Sequence, residues 1–117
     1  MKGEKGMKIE KDLVRGGAAL AVLKVISEGE TYGYEITQKL AERSQNVFRL
    51  SEGTLYPILH AMVKERYLDT FEKAADGSRR VRRYYRITAA GAVHLGYLEA
   101  CWREFSKGME GVLVEET

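Results

Sequence analysis

The chain has 117 residues, 44% hydrophobic and 31% charged, with 19 Lys and Arg against 17 Asp and Glu for a formal net charge of +2. Such a length suits one domain with a sizeable core, and such a composition excludes disorder. A single cysteine excludes an intrachain disulfide framework or a Cys-rich zinc cluster and suits the reducing cytoplasm.

No membrane span is expected, because the longest apolar stretch, Ala18 to Ile26, is broken by Lys24 and falls short of the roughly 18 residues required. The near-neutral total argues against a nucleic-acid binder only until the charges are placed. Residues 79 to 86 hold five arginines in eight positions and no acid, whereas Glu99 to Thr117 holds two bases against five acids. The total averages a basic middle and an acidic end, an asymmetry that says more about partners than the sum does.

Residues 1–11 read as a flexible basic arm. From Asp12 a helical pattern places Leu13, Leu20, Leu23 and Ile26 on one face until Gly29 stops it. Thr31 is the expected N-cap of a second helix carrying Tyr32, Ile36 and Leu40, and Gly33 near its start suggests a neighbouring backbone close by. The stretch from Ser44 to Leu50 breaks the period. Ser51 then caps a third helix whose stripe is Leu55, Ile58, Leu59, Met62 and Val63. Pro57 is least costly in an early turn, which suggests that the regular helix starts nearer Thr54.

Beyond Tyr67 the period falls to two. Two such runs flank Ala75-Asp76-Gly77-Ser78, and Asp-Gly is a strong turn signal, so a β-hairpin with arginines on its tip and second strand is expected. Val81, Arg83, Tyr85 and Ile87 share one face, so Arg83 either faces outward to a partner or pairs with an acid near the core. Of Tyr84 and Tyr85, one belongs to the core and one to the surface. Thr88 opens a last helix in which Leu95, Leu98, Trp102, Phe105, Met109 and Val112 recur at alternating spacings of three and four, a heptad seam that a two-fold dimer would bury. Cys101 adjoins that seam and is expected as a buried thiol.

Three helices and an arginine-tipped hairpin follow the order of a winged helix-turn-helix. The expected fold is mainly α with a small β-hairpin (α+β), with a DNA-binding unit over 12–87 and a dimerisation helix and acidic tail over 88–117. The third helix turns Thr54, Tyr56, His60 and Lys64 away from its stripe, and a major groove about 12 Å wide admits such a helix. Its exposed start offers backbone N–H groups to a phosphate, and the hairpin can lay arginines along the backbone or in the minor groove. A protein partner on the same surface is the rival reading. No nucleophile elbow, P-loop or dinucleotide-binding glycine pattern points to an enzyme, no cofactor is implied, and two histidines 34 positions apart make no metal site.

The runs Tyr32-Gly33-Tyr34-Glu35-Ile36, Ser51-Glu52-Gly53-Thr54-Leu55-Tyr56-Pro57-Ile58-Leu59 and Arg83-Tyr84-Tyr85-Arg86-Ile87-Thr88-Ala89-Ala90-Gly91 resemble the PadR family of bacterial and archaeal transcriptional regulators. They occur in the family's order, the resemblance spans about residues 12 to 112, and the short C-terminal helix is similar to the family's small subfamily. The resemblance implies a homodimeric repressor that binds a palindromic operator and is often released by a small effector. It implies that Ser51, Thr54, Tyr56 and Pro57 belong to the recognition-helix motif, with Tyr56 on phosphate, and that Arg79, Arg80 and Arg82 lie at the wing. Trp102 falls where relatives carry an aromatic in the dimerisation helix, near a cavity that in some of them accepts flat aromatic compounds.

Overall fold

The computed structural model describes residues 8–75, 77 and 79–115. In chain order it contains α1 (Lys11–Ser27), β1 (Thr31–Tyr32), α2 (Gly33–Arg43), α3 (Glu52–Lys64), β2 (Leu68–Ala74), β3 (Val81–Ile87) and α4 (Ala89–Leu113). This is the winged helix-turn-helix, an α+β arrangement, that the order of patterns predicts. Most of the basic arm, together with Asp76, Ser78, Glu116 and Thr117, lies outside the described residues.

Helix α1 is the hub, with α2, α4 and β3 all against it. Ala18, Val22, Leu23, Val25 and Ile26 are buried, a wider belt than the stripe read from sequence, because neighbours cover it from several sides. Leu13 departs from expectation and is exposed. Burial along α1 begins only near Gly17, over which the Phe48 ring closes. At its other end, Glu28 accepts a hydrogen bond from Arg43 at 2.6 Å, which ties α1 to the end of α2. That guanidinium holds the Glu28 carboxyl below its usual range.

Thr31 is not an N-cap. It pairs with Tyr85 in a three-stranded antiparallel sheet of order β1-β3-β2, and its buried hydroxyl donates to Glu35. A two-residue strand has no periodicity of its own, so only the presence of β3 reveals it. Across the sheet, Tyr85 stands opposite Thr31 and Thr70 and points into the core, while Tyr84 stands opposite Tyr32 and Phe71 on the outer face. Tyr85 is therefore the core member of the tyrosine pair. Val81 shares its strand face with Tyr85 yet is exposed, since the end of the hairpin outruns the core.

Helix α3 begins at Glu52 and not near Thr54, because the Ser51 hydroxyl accepts from the Thr54 N–H at 3.2 Å and caps it there. Pro57 therefore sits inside the helix. Its missing donor would have met the Gly53 carbonyl, in a residue exposed to water, which keeps the loss small. Leu55, Leu59 and Met62 are buried from this helix.

The 25-residue α4 is capped by Thr88, whose hydroxyl accepts from the Gly91 N–H at 2.9 Å and donates to the Arg66 carbonyl at 2.7 Å. It runs on through Gly108 and Gly111 to Leu113. Together with this helix the molecule reaches 64 Å along its longest axis and only 21 Å along its shortest. Among the described residues, no helix is long and apolar enough to cross a membrane.

Candidate nucleic-acid interface

The stripe of α3 faces the core, so the helical period sends Ser51, Thr54, Tyr56, Pro57, His60 and Lys64 outward, and all six are exposed. Ser51 and Thr54 are partly spent on each other: besides the cap, the Ser51 hydroxyl donates to the Thr54 hydroxyl at 3.3 Å. The helix start is a poorer phosphate seat than the sequence suggests, since the cap takes one N–H and Glu52 adds a carboxylate in the first turn. Tyr56, His60 and Lys64 are left as the groups that can reach a polyanion.

The arginines of the hairpin divide by register. Arg83 stands opposite Glu72 and pairs with it at 2.9 Å, also donating to Thr70; it shares the strand face of Tyr85, but it and its acid are both exposed, past the edge of the core. Arg86 stands opposite Asp69 at 3.8 Å and lies over the Phe71 ring. Arg79 and Arg80 are exposed beside the turn, where the Arg80 carbonyl accepts from the Ala75 N–H at 2.9 Å. Arg82 places its guanidinium 4.2 Å from the centre of the Tyr32 ring and makes no ion pair among the described residues. The Asp-Gly turn is described only at Gly77, whose φ of +63° is the left-handed conformation that a tight turn requires.

One contact brings α3 and the hairpin to the same place. Gly33, next to Tyr32, lies under the Tyr56 phenol: a Cβ on Gly33 would stand 3.1 Å from its oxygen. The close neighbour at Gly33 is thus a side chain and not a backbone. Tyr56 also lies near the buried Tyr85 phenol, whose pKa is pushed up by burial and further by Tyr56. Tyr32 belongs to this surface, beneath Arg82 and beside Tyr84, although its sequence pattern does not place it there. The adjacency of an aromatic and a glycine at a helix start was its only trace in the sequence.

The heptad seam splits in two. Leu95 is buried in the chain's own core and Leu98 packs against it, whereas Trp102, Phe105, Met109 and Val112 are 40–79% exposed. Trp102 and Phe105 meet with ring centres 5.9 Å apart. Cys101 is exposed, contrary to expectation, and its closeness to the Tyr97 phenol one helical turn away raises the pKa of that phenol. An open apolar groove of about 390 Å³ lies between α1, α3 and α4, lined among others by Ala19, Pro57, Ile58, His94 and Leu98 but not by Trp102. His94 stacks on Tyr67 with ring centres 4.0 Å apart. No cluster of metal-ligating residues is present among the described residues.

A winged helix with an outward polar helix face, a cationic hairpin and a long unpaired terminal helix has the makings of a transcriptional regulator. The family comparison agrees: the chain belongs to the PadR-like family of transcriptional regulators, whose model matches residues 22–97. It is 35% identical over 85 residues to the transcriptional regulator Rv3488 of Mycobacterium tuberculosis, covering 73% of this chain and 75% of that one. A protein of Lysinibacillus sphaericus is 33% identical over 110 residues, covering 87% of this chain and 99% of that one. Among solved structures, a PadR-like regulator from Bacillus cereus aligns with a TM-score of 0.76 at 32% identity, over 91% of this chain and all of that one. A regulator from Clostridium thermocellum aligns with a TM-score of 0.78 at 28% identity, over 92% and 99%.

Proposed function

We propose that this regulator is a cytoplasmic DNA-binding repressor that sits as a homodimer on a palindromic operator. Helix α3 enters the major groove with Thr54, Tyr56, His60 and Lys64 toward the DNA, Tyr56 on phosphate, with Ser51 and Pro57 shaping the helix start. Arg79, Arg80 and Arg82 hold the flanking backbone. The observation that carries this reading is the convergence of Tyr56 from α3 and Arg82 from the wing on the adjacent residues Gly33 and Tyr32.

In this reading the α4 seam forms the dimer, and Trp102, Phe105, Met109 and Val112 supply its exposed part. Burying each large side chain is worth roughly 1.5–3 kcal/mol, while Leu95 and Leu98 stiffen the helix from inside the subunit. The two-fold axis sets the two recognition helices about one DNA turn apart. A flat aromatic effector stacked on Trp102 alters that spacing and releases the operator.

The test is fluorescence anisotropy on DNA from upstream of the protein's own gene, titrated across salt. The log–log slope is expected on the order of −4 to −8 for a dimer that neutralises several phosphates per subunit. A slope near zero refutes the reading and leaves the surface to a protein partner.

A further inference from the structure

Gly33 has no backbone reason to be glycine. Its φ is not in the left-handed region, and it occupies the first turn of α2, where alanine is the better helix former. What a side chain there would meet is the Tyr56 phenol, 3.1 Å from its oxygen and 3.6 Å from its Cζ. The residue before it, Tyr32, ends β1 and lies edge-on to Tyr84 at 5.4 Å, with Arg82 over its ring. A stacked guanidinium spends its face on the ring and keeps its N–H edge available for a phosphate. Arg83 and Arg86, engaged with Glu72 and Asp69, do not keep theirs in the same way.

We infer that Tyr32 and Gly33 are positioning residues for DNA binding: the junction of β1 and α2 holds Arg82 of the wing and Tyr56 of the recognition helix in one frame. This rests on the DNA-binding reading and adds to it two residues that need not touch DNA. Because β1 is hydrogen-bonded to β3, which carries Arg82, the frame is continuous through the sheet. It registers the wing to the recognition helix, so both meet the same stretch of backbone.

The experiment measures operator affinity and thermal unfolding side by side in the full chain. Gly33→Ala is expected to bind about tenfold more weakly, the order of one charge-assisted hydrogen bond, with unfolding unchanged or later. In Gly33→Ala/Tyr56→Phe the nearest atom is Cζ at 3.6 Å, an ordinary contact, so this double variant should bind no worse than Tyr56→Phe alone. Tyr32→Phe keeps the ring and should match the unsubstituted protein. Tyr32→Leu removes it and should lose about two- to fivefold. Wild-type affinity in Gly33→Ala, or losses that multiply in the double variant, overturns the inference. An unsubstituted protein without salt-dependent DNA binding overturns the DNA reading itself.

Discussion

Gly91, in the first turn of α4, marks the tightest backbone approach around a described glycine. A Cβ built there would stand 2.1 Å from the Tyr67 carbonyl oxygen and 2.7 Å from Ile87 Cγ1. Ordinary carbon–oxygen contacts begin near 3.3 Å, so Gly91→Ala must drive α4 and the start of the hairpin apart by about 1 Å. These segments are pinned where Thr88 N–H donates to the Tyr67 carbonyl at 3.0 Å and the Thr88 hydroxyl donates to the Arg66 carbonyl at 2.7 Å. Overpacking costs about 1–3 kcal/mol, and each loosened hydrogen bond adds about 0.5–1.5 kcal/mol. The helix preference for alanine returns up to about 1 kcal/mol. The net loss is about 2–4 kcal/mol, or roughly 8–16 °C in Tm for a chain of this length. Gly96→Ala is the control: it lies on the same helix with nothing within 4 Å of its Cβ position, and should gain about 0.5–1 kcal/mol. Calorimetry on the pair decides the matter. Equal melting points for Gly91→Ala and the parent would refute the claim that glycine is required there.

Three further outcomes follow from the same structure. Burial raises the Tyr85 phenol above its usual pKa, so the folded state holds that proton more tightly; its contribution is intact below about pH 10 and declines as pH rises past it. Tyr85→Phe should therefore show a shallower loss of stability above pH 10, and identical alkaline limbs would contradict this. Replacing Arg79, Arg80 and Arg82 with Ala together should weaken binding to all DNA sequences about equally and flatten the salt slope by about 0.9 per lost phosphate contact; unchanged affinity removes the wing from the interface. Trp102→Ala with Phe105→Ala should shift a dimer toward monomer in sedimentation while Tyr85 stays buried, and an unaltered dimer would place the interface elsewhere.

How much was legible in advance differs element by element. The stripe from Leu55 to Val63, the caps Ser51 and Thr88, and the alternation on either side of Asp76-Gly77 are local patterns, and local patterns fix helices and hairpins. The outward set on α3 follows from the stripe by geometry alone. Cross-strand register is another matter. Whether an arginine of the run is paired depends on which residue faces it, which is how Arg83 met Glu72 and Arg86 met Asp69 while Arg82 met an aromatic from a strand with no signature.

The sequence by itself determined the order of the helices and the hairpin, the basic run on that hairpin and the exposed face of α3, because periodicity and turn chemistry act over a few residues. Only the tertiary structure decided that Thr31 pairs in a sheet, that Leu95 belongs to the subunit's own core and Trp102 does not, and that Cys101 is open to solvent. It alone set Gly33 beneath Tyr56. Each of these depends on what arrives from elsewhere in the chain, and contact between segments far apart in sequence leaves almost no mark on the residues that make it.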